Sequence, residues 1–159
     1  MSGNKFEFNL FPDYKILPDA GYNVLAYDLR DHGLSSAANG GVTTTGVSES
    51  RDVVGLLEYV RTRLETGKLA TGLFSRCMGG SATLSAMMRF PSAFEGVCCL
   101  VSPQPVTPRI IAERRLAKLG LSDRLDDFDT YVRLRTSVGL DERIPLKWAK
   151  SVRVPTFLY

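Results

Sequence analysis

Histidine and cysteine are scarce in this chain of 159 residues, which holds one His and three Cys. Cys98 and Cys99 are adjacent, so a disulfide framework is excluded, and no Cys-x-x-Cys or Cys/His spacing marks a zinc site. Neither a metal nor an organic cofactor is expected, and the thiols read as reduced. Long apolar runs are missing too. The longest extends only from Val97 to Val101, far below the ~20 residues that cross a bilayer, which excludes a membrane-spanning helix. The start, Met1-Ser2-Gly3-Asn4-Lys5, runs into Phe6-Glu7-Phe8 instead of an apolar signal region. No secretory leader is visible, and the cytoplasm is the default compartment. Nor does one sign of charge dominate: 20 Lys and Arg against 17 Asp and Glu give +3, and acids interleave with the bases even from Arg109 to Arg153. A nucleic-acid-binding face needs clustered positive charge, so nucleic acid is excluded as a partner. Repeats, low-complexity tracts and Gly/Ser linkers are absent as well, which leaves one domain or a large piece of one.

What is present suffices for a core, with 44% hydrophobic residues and 23% charged. Pro12 and Asp13 suit a helix start, Tyr14, Ile16 and Leu17 give it apolar contacts, and Gly21 closes it. Asn23 to Leu29 is a short apolar run that predicts a buried strand ending at the polar Arg30-Asp31-His32-Gly33. After a Gly/Ser/Thr-rich loop from Ser35 to Gly46, Val53, Leu57, Val60 and Leu64 recur at helical spacing. Ser48 is the expected cap, with Glu49 and Asp52 at the positive end. Leu69 to Phe74 predicts the next strand, Ser81 to Phe90 a helix stopped by Pro91, and Gly96 to Val101 another strand. On that strand Cys98 and Cys99 would point to opposite buried faces. Strand, helix, strand, helix, strand is the pattern of parallel βαβ units, so the fold class is α/β. From Pro103 to Ser151 the pattern turns helical, over Ile110 to Leu119, Asp126 to Val138 and Pro145 to Lys150. Its paired charges, Arg114-Arg115 and Asp126-Asp127, read as solvated helix faces. Such an insertion commonly lies over the carboxyl edge of a sheet, where ligands bind. Val152 to Tyr159 predicts a further core strand, inside which the chain stops.

Between the strand ending at Phe74 and the helix from Ser81 lies Ser75-Arg76-Cys77-Met78-Gly79-Gly80. A nucleophile elbow needs small residues two before and two after its nucleophile, and Ser75 and Gly79 meet that need. Here the chain resembles the α/β-hydrolase fold family, with Cys77 where most members carry serine and a minority, such as dienelactone hydrolases, carry cysteine. Upstream, Asp28-Leu29-Arg30-Asp31-His32-Gly33-Leu34-Ser35 is similar to the D-x-R-G-H-G-x-S loop after the fourth strand of many of these hydrolases. Asp31 replaces a glycine there, which Asp can imitate in a left-handed turn. The resemblance spans roughly Leu17 to Pro103.

It implies a parallel sheet with flanking helices, incomplete: a single partial domain over 1–159, with a core of about 6–103 and 152–159 and a helical lid of about 104–151. It also implies that Cys77 attacks a small-molecule ester, thioester or related acyl substrate, the helix N-terminus favouring the thiolate and the Met78 N–H forming half of the oxyanion hole. The plainer reading of Cys77 is an inert buried thiol. Ser75, Gly79 and Gly80 then shape the elbow. Asp28, Arg30, His32 and Gly33 shape the other loop, Asp28 and Arg30 pairing with each other or with loop backbone. His32 matches a non-catalytic histidine of the family loop. The family's second oxyanion donor follows the third strand, its acid the seventh and its histidine the eighth, and none has a visible source in this chain. These 159 residues alone are therefore expected to turn over little or nothing. The alternative is a hydrolase-like binding protein or inert fragment. An unfinished sheet would also expose edges that invite homo-oligomers.

Overall fold

A computed structural model describes residues 11–63 and 65–159, for 11–13 the backbone alone. In chain order the elements are α1 (Phe11–Asp19), α2 (Ser50–Thr62), β1 (Thr71–Phe74), α3 (Met78–Arg89), β2 (Val97–Ser102), α4 (Pro108–Lys118), α5 (Leu125–Thr136), α6 (Pro145–Ala149) and β3 (Thr156–Leu158). The strands form one parallel sheet in the order β1-β2-β3, with Leu73 opposite Leu100 and Val101 opposite Phe157. The βαβ reading of β1, α3 and β2 is thus met.

Helix α3 starts at Met78, three residues before the expected Ser81. It is built from Gly, Ser, Ala and Thr, which let it sink into the body until every residue from Gly80 to Met87 is buried. Arg89 lies in its last turn, where a cation suits the negative end, and donates to the Val47 carbonyl. Helix α2 turns Val53 and Leu57 inward, as its period requires, while Leu64 lies outside the described residues. Ser48 does not cap it. The helix begins at Ser50, and the Glu49 carboxylate folds back over the preceding loop.

Helices α2, α3 and α6 gather with β1 and β2 round one apolar cluster, which includes Leu84, Met87, Leu100 and Trp148. They cover one face of the sheet. The other carries Phe74, Cys99 and Phe157, all exposed, so the expectation that Cys98 and Cys99 are core residues is corrected. A register shift between Thr71 and Gly72 sets Cys98 outside the regular pairing, and Cys99 takes the bare face. Strand β3, expected as a core strand, pairs with β2 but has all three residues exposed, because it is the terminal strand of the sheet among the described residues. Residues 22–29 are a further correction. They form no strand, because no ladder partner lies beside them among the described residues, and Val24 and Leu25 are exposed. Within 104–151, α4 and α5 surround a small separate cluster of Ala112, Val132 and Leu140. Helix α6 instead sends Trp148, 4% exposed, into the main core.

Candidate active site

The corner between β1 and α3 is pinned by backbone bonds. Ser75 N–H donates to the Val101 carbonyl and Cys77 N–H to the Pro103 carbonyl, each at 2.9 Å, so the chain leaves β1 tied to the end of β2. Cys77 then sits at φ +54°, ψ −117° as the N-cap of α3. A residue with a Cβ held at positive φ costs about 1–3 kcal/mol and persists only where its surroundings enforce it. Here the enforcing contacts are the Pro103 bond before the corner and the helical turn after it, where Ser81 N–H donates to the Cys77 carbonyl at 3.2 Å. The Cys77 side chain is half-buried, and among the described residues its sulfur makes no hydrogen bond. Met78 N–H, next along, has no carbonyl acceptor among the described residues. An unsatisfied amide in the first turn of a helix, beside a thiol, is a ready donor to negative charge.

Small residues shape this corner differently from the sequence expectation. A Cβ on Gly79 would meet nothing within 4 Å, whereas one on Gly80 would overlap Ser102 Oγ and lie 2.9 Å from the Ser75 carbonyl oxygen. The tight position is therefore three after Cys77, because the helix turns that residue toward β2. Ser75 is the small residue two before Cys77. Its hydroxyl pairs with Thr83 Oγ1 at 2.9 Å, and its carbonyl accepts from Ser102 Oγ at 2.9 Å.

The second loop is held by its own residues. Asp28 is buried and accepts from Leu34 N–H at 3.1 Å, and Gly33, at φ +53°, passes so close that a Cβ there would lie 2.5 Å from the Asp28 carboxyl. Only glycine satisfies both conditions. Asp31 adopts the expected left-handed turn at φ +61°, and its Oδ1 accepts from the amides of Ala38, Asn39 and Gly41. Burial pushes that carboxyl up, yet those three amides hold it below its ordinary value. Arg30 does not pair with Asp28. Its guanidinium reaches Asp52 on α2 at 2.7 to 3.0 Å, because the acid in that helix's first turn faces the loop. His32 donates from Nδ1 to the Arg30 carbonyl at 2.8 Å and makes no hydrogen bond to Cys77.

Two groups of residues from the sequence thus occupy two loops, with a third between them in which the sequence reading gave Glu49 only as negative charge at the start of α2. Glu49 is fully buried, and its carboxylate accepts from Thr43 Oγ1 (2.7 Å), Thr44 N–H (2.9 Å), Thr44 Oγ1 and Gly46 N–H (2.9 Å). Burial pushes the group up, but the hydroxyls of Thr44 and Thr43 outweigh it and hold it below its ordinary value. The signal was present: Gly46-x-x-Glu49 has the spacing of a capping box, in which the acid reaches back to the amide three residues earlier. Arg143, 3% exposed, had no such signal. It donates to the Thr43 carbonyl at 3.1 Å and to Thr136 and Val138.

No protein-family model and no curated protein matches the sequence. Among solved structures, an esterase from Pyrococcus furiosus matches with a TM-score of 0.61 at 22% identity, over 92% of this chain and 52% of that one. The likeness is one of fold. The chain spans about half the length of that esterase, and its three parallel strands with their helices are a hydrolase-like α/β arrangement.

Proposed function

We propose that the chain carries the nucleophile region of an acyl hydrolase, acting on a small-molecule ester, thioester or related acyl bond through Cys77. The observation that carries this reading is the positive-φ placement of Cys77 at the β1–α3 corner, with the Met78 N–H behind it free of an acceptor among the described residues. In the reaction the Cys77 thiolate adds to the carbonyl carbon. The π electron pair moves onto oxygen, where the Met78 amide and the positive end of α3 stabilise it. Collapse expels the alkoxide or thiolate, which takes a proton from water, and leaves an acyl group on Cys77. The step needs neither metal nor cofactor. That an enzyme matching over most of this chain's length is an esterase supports the same bond class.

Release of the acyl group by water needs a base, and among the described residues no base hydrogen-bonds Cys77; His32 is held by its own loop. The expected activity of these 159 residues is therefore stoichiometric acylation with little turnover. The test is incubation with p-nitrophenyl acetate, following nitrophenolate release and mapping the acetyl group by peptide mass spectrometry. A burst no larger than one equivalent, located on Cys77 and lost in Cys77→Ala, is the expected result. Acetylation of the exposed Cys98 and Cys99 with Cys77 unmodified would overturn the reading and leave Cys77 as a packing residue of a non-catalytic fold.

A further inference from the structure

The oxyanion role of Met78 depends on where its amide points, and the amide is placed by what touches the rest of that residue. Met78 is 2% exposed, and its Sδ lies 3.0 Å from Thr43 Oγ1. A hydroxyl has one proton, and that of Thr43 belongs to the Glu49 carboxylate, the stronger acceptor, at 2.7 Å. The same oxygen accepts from Thr45 N–H at 2.9 Å. Thr43 thus has no freedom to rotate away from the sulfur. Its backbone is held from the other side, where Arg143 donates to the Thr43 carbonyl at 3.1 Å. Three residues on, Gly46 presses the same loop against α3, since a Cβ there would lie 2.8 Å from the Ser81 carbonyl carbon. The loop is a wedge under the first turn of the helix that bears the elbow.

We propose that Thr43, clamped between Glu49 and Arg143, is a positioning residue that fixes the Met78 amide as oxyanion donor. The inference rests on the acyl-transfer reading above and names the part of the protein that makes that amide effective. It also has a signature that simple structural support would lack. Addition to a carbonyl develops an oxyanion, whereas alkylation by iodoacetamide displaces iodide at a saturated carbon and develops none. Loss of the Met78 geometry should slow the first and spare the second.

The experiment uses the 159-residue chain carrying Cys98→Ser and Cys99→Ser, so that Cys77 is the one thiol left of three. In this background Thr43→Val keeps the shape but puts a methyl against the sulfur, where contact needs about 3.5–4.0 Å, so Met78 must move. The expected result is a fall of about tenfold or more in the p-nitrophenyl acetate acylation rate, judged against the ~10²–10³ effect of deleting an oxyanion donor outright. The iodoacetamide rate should stay within about twofold. Thr43→Ser, which restores the hydroxyl, recovers acylation. An unchanged ratio of the two rates in Thr43→Val overturns the inference. Should that variant lose its cooperative unfolding transition, Glu49→Gln is read by the same ratio: an amide in place of the carboxylate leaves one backbone donor unpaired whichever way it turns, which loosens the same clamp. Absence of acylation in the parent chain sinks the nucleophile reading and this inference together, whereas parental acylation with an unmoved ratio sinks the inference alone.

Discussion

Alanine at position 80 and alanine at position 79 should have opposite effects, although the two glycines are neighbours in one helix. A Cβ at 80 overlaps Ser102 Oγ, so that hydroxyl must rotate and give up its bond to the Ser75 carbonyl. Ser102 is fully buried, and stranding its hydroxyl costs about 1–3 kcal/mol. The Ser75 carbonyl, 2.9 Å from the new methyl, is backbone and must shift as well, an overpacking cost of about 1–3 kcal/mol. Gly80→Ala should therefore lose about 2–6 kcal/mol in urea unfolding followed by Trp148 fluorescence. Gly79→Ala meets open space within a helix and should be neutral or gain up to about 1 kcal/mol. Ser102→Ala in the Gly80→Ala background should recover part of the loss, because it removes the overlap with the hydroxyl and leaves the one with the carbonyl. Equal stability of the two single variants would refute the placement of the tight corner at 80, and with it the way α3 is seated on β2.

Two further outcomes follow from the loops. Gly33→Ala demands both a positive φ and space occupied by the Asp28 carboxyl, so it should cost about 2–4 kcal/mol in the same unfolding assay; a loss under 0.5 kcal/mol would contradict the loop geometry. Stability should also depend on pH through Glu49 and Asp31. Both are held below their ordinary values of 4.5 and 3.8, so each contributes stability in full above that value and loses it as pH falls through its lower folded one. Unfolding free energy should be level above pH 4.5 and decline below it, with a shallower decline in Glu49→Gln; a decline equally steep in that variant would show that Glu49 is not among the groups responsible.

Local chemistry was legible where a few consecutive residues decide the outcome. Small residues round Cys77 between an apolar run and a helix predict a strained strand-to-helix corner, and Asp31 in place of glycine predicts a left-handed turn. Both depend on backbone sterics within a handful of positions. Helical spacing at Val53 and Leu57 likewise named the face that packs. The same reasoning misassigned Gly79, because which glycine is tight depends on how far α3 has turned when it meets β2, a distance between segments remote in sequence.

What the sequence determined by itself was the alternation of helix and strand from α2 to β2 and the position of the corner, since φ/ψ restriction and hydrophobic period are properties of short stretches. Tertiary structure alone decided which sheet face is covered and where β1 and β2 slip in register, and therefore that Cys99 and Cys98 are exposed instead of buried. It alone decided that Arg30 pairs with Asp52. And it alone brought Thr43, Glu49 and Arg143 under the first turn of α3, because Arg143 lies 100 residues from the carbonyl it holds. No local pattern marks Arg143 for burial; its partners do, and the one on the Thr43 loop is chosen when distant segments pack.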